Sequence, residues 1–165
     1  MSRKLVLDSS VIINLDRRGI LTKYLNQKRD EGYELLVPRA IAEEILDDPK
    51  QYAEEIKETS PELAEKILVS VERMKTAINN DLIKVEQVNY KKYSRILSNT
   101  KKHLSKLEAK PEHAVKKGDP ELITLVIQLY DKHREKITVA SKDKGLLNTL
   151  KFFSKKVEYE VLRDV

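Results

Sequence analysis

The sequence predicts an α/β domain in which a parallel sheet is covered by helices on both faces. Five short β-prone runs alternate with helical stretches, and that alternation argues parallel pairing. Two runs, Leu5-Val6-Leu7 and Ile137-Thr138-Val139-Ala140, are apolar or β-branched at every position, as strands buried on both sides should be. A chain of 165 residues with neither an internal repeat nor a low-complexity linker suits one domain spanning 1–165.

In order, the β-prone runs cover residues 4–7, 33–37, 82–88, 137–140 and 157–162. Pro38 follows the second run and suits the first turn of a helix over 39–46, where a backbone N–H would lack a partner anyway. A helical region over 51–79 divides near Thr59-Ser60-Pro61: Ser60 suits an N-cap, and the residue before a proline resists the helical conformation. Gly118-Asp119-Pro120 opens a helix over 121–133 with Leu122, Leu125, Val126 and Leu129 on one face. Asp143 suits the N-cap of a helix over 144–153.

Composition excludes several classes of function. A hydrophobic share of 40% beside 36% charged residues reads as globular rather than disordered. No apolar run approaches the roughly 18 residues of a membrane span. The N-terminus passes directly into Leu5-Val6-Leu7, leaving no signal peptide, so a cytoplasmic protein without a membrane partner is expected. The absence of cysteine removes disulfides, thiolate zinc sites and cysteine nucleophiles. Abundant Lys and Glu without Cys or Trp is a mix found in proteins of hot-living organisms. Gly19, Gly32, Gly118 and Gly145 form neither a P-loop nor a dinucleotide fingerprint, and no serine sits in a nucleophile elbow. His103, His113 and His133 lack metal-pair spacing and are expected at the surface among lysines, with a phosphate contact open to the first two.

Charge is unevenly spread. Residues 91–117 hold nine Lys/Arg against two acids, so this stretch alone outweighs the net +5 of the whole chain. Lys91, Lys92, Arg95, Lys101, Lys102 and Lys106, with Arg17 and Arg18 after the first short helix, are candidate contacts to a polyanion such as RNA. A solvated lysine-rich helix face would have the same composition. Tyr90 and Tyr93 beside the first lysines could stack on bases or pack a helix.

Acids near strand ends carry the chemical signal. In an open parallel sheet, ligands bind at the carboxyl ends of the strands, where strand order reverses. Asp8 follows the first run directly, Asp143 comes just past the fourth, and Asp119 and Glu44 lie on helices able to point at the same edge. Three or four carboxylates there are electrostatically untenable without a cation, and hard oxygen ligands select magnesium, manganese or calcium over zinc. Taken singly, Asp8, Asp119 and Asp143 are equally well placed to cap helices, and Glu44 to lie in solvent beside Glu43.

The stretch from Lys4 to Ile13, with Asp8-Ser9-Ser10 at its centre, resembles the opening motif of PIN domains (PilT N-terminus), a nuclease family. The run from Val37 to Leu46, with Glu44, is similar to their second motif. Gly118-Asp119-Pro120-Glu121-Leu122-Ile123 resembles the third, and Val139-Ala140-Ser141-Lys142-Asp143 the fourth. The motifs stand in family order and span nearly the whole chain, which points to an archaeal or thermophile member.

That resemblance implies a three-layer α/β/α fold with a five-stranded parallel sheet. It implies metal-dependent phosphodiester hydrolysis, usually of RNA, with Mg2+ or Mn2+ held by Asp8, Asp119 and Asp143, and Glu44 ligating directly or through water. Glu43 and Glu121 are alternate ligands, and Ser10 and Ser141 match the polar residues that orient the carboxylates. Residues 47–117 are longer than the matching stretch of compact toxin members, which suggests an added helical element for substrate binding or homodimerisation. The expected activity is an endoribonuclease, perhaps in RNA processing. A toxin with an antitoxin partner, or an inactive scaffold in a processing complex, are the alternatives.

Overall fold

A computed structural model describes residues 3–163. Within them the chain forms five strands and seven α-helices: β1 (Arg3–Leu7), α1 (Ser9–Arg17), α2 (Leu21–Asp30), β2 (Tyr33–Val37), α3 (Arg39–Ile56), α4 (Pro61–Asn79), β3 (Lys84–Val85), α5 (Ser94–Leu107), α6 (Gly118–His133), β4 (Ile137–Ala140), α7 (Lys144–Phe153) and β5 (Tyr159–Leu162). All strand pairs are parallel, in the order β3-β2-β1-β4-β5. Helices cover both faces, so the architecture is the three-layer α/β/α sandwich expected.

Strand order follows from burial. Leu5, Val6 and Leu7 are wholly buried, and β1 takes the central place where both faces are covered. β4, equally buried, lies beside it, while half-buried β5 and exposed β3 form the edges. The chain runs from β1 out to β2 and β3, then returns to place β4 on the other flank of β1. The carboxyl ends of β1 and β4 therefore bound the point of reversal.

The third strand is shorter than the expected 82–88, because an edge strand pairs on one side only: Leu36 with Lys84 and Val37 with Val85. Ile83 and Val88 still bury their side chains, which is the signal the apolar pattern carried. The second helix also departs from expectation. It does not stop at Leu46 but runs through Pro49 to Ile56, although proline removes one helical hydrogen bond. Packing against α4, with Ala53 buried, holds the extension in place. Residues 47–117 are therefore not a helical insert apart from the sheet: they supply the end of α3, all of α4 and α5, and β3 itself.

A buried ion pair ties α4 to α1. Asp16, 5% exposed, accepts bonds from Arg73 Nε at 2.8 Å and Nη2 at 3.0 Å, and a further one from the Ser70 hydroxyl. Burial pushes this carboxyl up, but the bonds from Arg73 and Ser70 outweigh it and hold the pKa below the usual aspartate value. Among the described residues, no helix is long and apolar enough to cross a membrane.

Arg73→Ala should cost about 1–2 kcal/mol at neutral pH, because Asp16 keeps its charge but loses a bidentate partner. A depressed carboxylate pKa contributes stability above the unfolded value of 3.8 that is lost as pH falls through the lower folded one. The deficit in urea unfolding should therefore shrink below about pH 4. An identical deficit at pH 7 and pH 3 would mean that Arg73 acts by packing alone.

Candidate active site at the carboxyl edge of the sheet

Register builds the centre of the site. Parallel pairing sets Leu7 opposite Ala140, and the Asp8 amide donates to the Ala140 carbonyl at 3.1 Å. The next residues, Asp8 and Ser141, thus emerge side by side. The Ser141 hydroxyl donates to Asp8 Oδ2 at 2.9 Å, and Ser10, two residues on in the first turn of α1, donates to the same oxygen at 2.9 Å. Asp8 stands at the N-cap of α1, yet its side chain makes no capping bond. The carboxylate is instead turned to the edge, 3% exposed.

Asp143 approaches from the other flank and has two engagements. Its Oδ1 accepts from the Leu146 amide at 3.1 Å and caps α7, while its own amide donates to Ser141 Oγ. Ser141 thus links the two aspartates. Glu44 reaches in from α3 and accepts from the Ser9 hydroxyl at 2.7 Å. The first turn of α6 comes so near that a Cβ on Gly118 would lie 2.9 Å from Glu44 Cδ and closer still to Oε1. Glycine there lets the start of the helix approach the carboxylate, and the Gly118 amide bonds to it.

Asp119 completes the group from the first turn of α6, without a hydrogen-bond partner among the described residues. Burial pushes its carboxyl up, and the charges of Asp8, Asp143, Glu44 and Glu108 add to that, bringing the pKa to about 7. Asp8 is raised by burial, which outweighs the bonds from Ser141 and Ser10, with Asp143 adding repulsion. Glu44 is raised by burial and by Asp8, against the opposing effects of Ser9, the Lys116 ammonium and the Gly118 amide. The four acids therefore feel one another, and the site is short of positive charge. Among the described residues, no three acid, histidine or cysteine side chains close up tightly enough to enclose an ion by direct ligation.

The whole sequence, over residues 1–161, matches the family described as Halobacterial PIN domain. The chain belongs to the PIN-domain family. No curated protein and no solved structure matches it. PIN domains are nuclease-type folds, and PIN nucleases usually use divalent metal ions. The expected membership and fold are thus borne out, and the family name carries the archaeal affinity that was anticipated.

Other candidate residues of this PIN domain lie elsewhere. Glu121 is buried away from the acidic edge, accepting from the Ala40 amide at 3.2 Å and the Tyr90 hydroxyl at 2.9 Å. Glu43 pairs with Arg39 one helical turn back. Arg17 and Arg18 sit at the far end of α1, which at about 1.5 Å per residue carries them roughly 12 Å from Asp8. Lys92 lies over the Tyr93 ring, and the Tyr93 hydroxyl donates to Asp131, so this tyrosine packs rather than stacks on a ligand. Lys91, Arg95, Lys102 and Lys106 are exposed around α5, with Lys101 half-buried. His103 corrects an expectation: it is not a free surface residue but stacks on Phe152 with ring centroids 4.9 Å apart, edge-on to Phe153.

Ser9, Gly118 and Lys116 had not been singled out as contributors to this edge. Ser9 and Ser10 look alike in sequence, and only the helical turn sends one to Glu44 and the other to Asp8. A glycine immediately before a helix-opening acid was the available signal for Gly118.

Asp119 has a raised native pKa, so the metal-free fold holds its proton up to about pH 7 while the unfolded chain releases it near 3.8. Stability from this group therefore falls as pH rises between those values. Asp119→Asn should melt like the parent at pH 4, and above it at pH 8. Parallel pH–melting curves for the two proteins would show that the strain lies on another carboxylate.

Proposed function

We propose that this PIN domain is a metal-dependent endoribonuclease, hydrolysing RNA phosphodiester bonds at the carboxyl edge of β1 and β4. The observation that carries this reading is the mutual repulsion of Asp8, Glu44, Asp119 and Asp143, which brings Asp119 to about 7. Four acids raised or crowded in this way fit a hard divalent cation. Their spacing suits a hydrated ion held by one or two carboxylates directly and by the rest through water, the usual habit of Mg2+.

When bound, such an ion supplies an activated water and a counter-charge for the phosphate. The residues do the rest. Ser10 and Ser141 fix one oxygen of Asp8, leaving the other to face a ligand. The α7 amide of Leu146 holds Asp143 Oδ1, so that Oδ2 is presented in a set direction. Asp119 keeps a proton near neutral pH and releases it when positive charge arrives. Ser9 aims Glu44, and Lys116 tempers its charge.

An inactive scaffold that binds RNA or protein is the second reading, favoured by the want of a closed three-acid ligand set among the described residues. One experiment divides the two. Purified protein with Mn2+ or Mg2+ should cleave a labelled single-stranded RNA internally, and a chelator should stop it. Asp143→Asn should abolish cleavage while RNA binding persists. Ser141→Ala should lower the rate by about 10–100-fold, the usual effect of removing a group that orients a metal-binding carboxylate. Binding without cleavage in either metal would favour the scaffold.

A further inference from the structure

A second concavity, of about 770 Å³, opens between α5, the 3₁₀ turn Glu112–Ala114 and the start of α6. Lys117 and Glu121, four residues apart, share one face of the first turn of α6 and line it. Asp119, midway between them in sequence, points to the other side of the turn, toward the acidic edge. The cavity and the edge thus flank the same helical turn, separated by roughly the 10–12 Å width of a helix.

Its lining is not that of a core defect. Tyr90 is 43% exposed at the rim, but its hydroxyl is anchored to the buried Glu121 carboxylate at 2.9 Å. Glu121 in turn accepts from the first amides of α3 through Ala40. The phenol is held neutral, its pKa pushed up to about 12 by burial and by the Glu121 carboxylate. A ring fixed at one end and exposed over its body is a preorganised stacking surface. Lys101 and Lys117 line the same space, and neither forms an ion pair among the described residues. Leu97 supplies an apolar wall, and Glu112 is an acceptor in reach of an exocyclic amine.

We propose that this cavity binds one base and its adjoining phosphate of a single-stranded nucleic acid whose neighbouring phosphate lies at the acidic edge. Tyr90 stacks on the base, while Lys101 and Lys117 hold the phosphate. This rests on the nuclease reading for the strand's path, and it narrows the broad basic stretch 91–117 to two lysines and one aromatic ring. A strand crossing the first turn of α6 would set the stacked base one or two nucleotides from the bond to be cut.

The test uses binding, so that it does not depend on cleavage. A short single-stranded RNA carrying one fluorescent 2-aminopurine is titrated into the Asp143→Asn protein at several salt concentrations. Tyr90→Ala, added to that background, should weaken binding roughly 5- to 100-fold and relieve the quenching of the probe, as loss of one stacked base does. Tyr90→Phe, which keeps the ring, should stay within about threefold. Lys101→Gln with Lys117→Gln, two surface changes that leave the core alone, should flatten the salt dependence by about 1.4 log units for two lost phosphate contacts. Lys106→Gln on the exposed face of α5 serves as the control and should flatten it far less. If Tyr90→Ala and the double lysine variant bind as the parent does, the proposal is overturned, even where the active protein cleaves RNA. If the parent sequence does not cleave but Tyr90→Ala loses binding, the nuclease reading falls and the base pocket stands. A protein that neither binds nor cleaves any oligonucleotide overturns both.

Discussion

Backbone hydrogen bonds between β1 and β4 set Leu7 opposite Ala140, and the arrangement of the carboxyl edge descends from that register. A slip of one residue would turn Asp8 into the core and send Ser141 to the wrong face, because strand side chains alternate. The register is well defended. Every residue from Leu5 to Leu7 and from Ile137 to Ala140 is buried, so any shift would expose apolar side chains or bury charged ones. The same apolar runs that stabilise the sheet therefore hold Asp8 and Ser141 together at 2.9 Å.

Around that fixed point the edge is electrostatically strained. Asp8 has hydroxyl donors rather than a cation, Asp119 has no donor, and Lys116 is the ammonium that bears on Glu44. A fold selected for stability alone would place a lysine or arginine among four acids, as it does for Asp16. There a carboxylate of similar burial receives a bidentate guanidinium and a hydroxyl, and its pKa falls instead of rising. Two buried aspartates in one small domain thus show opposite solutions. One is satisfied within the protein, and the other is left for something that arrives from outside.

The surroundings distribute the positive charge with some selectivity. Residues 91–117 fold as a turn, α5 and a 3₁₀ turn against α6 and α7, and most of their lysines face solvent. Glu121, a third buried carboxylate, is drawn away from the acidic edge by the Ala40 amide and the Tyr90 hydroxyl. Two acids separated by one proline in sequence thereby take unrelated parts: Asp119 belongs to the charged edge, and Glu121 braces a tyrosine.

The sequence alone determined the fold class, most element positions and the family. These follow from local signals: apolar runs for buried strands, Pro38 and Pro61 at helix starts, and acids just past strand ends. It did not determine where a helix outlasts its own propensity, because packing of α3 on α4 overrides Pro49. Nor could it separate Glu44 from Glu43 or Asp119 from Glu121 in place, since adjacent or near-adjacent acids differ only in the direction a helical turn sends them. Ser9, Gly118 and the Tyr90–Glu121 bond were hidden for a related reason: each acts across 31 or more residues of sequence, and no local pattern marks such a contact. What the tertiary structure decided was proximity. Strand order and register, set by the burial of apolar faces rather than by any attraction between acids, carried four carboxylates to one edge of the sheet.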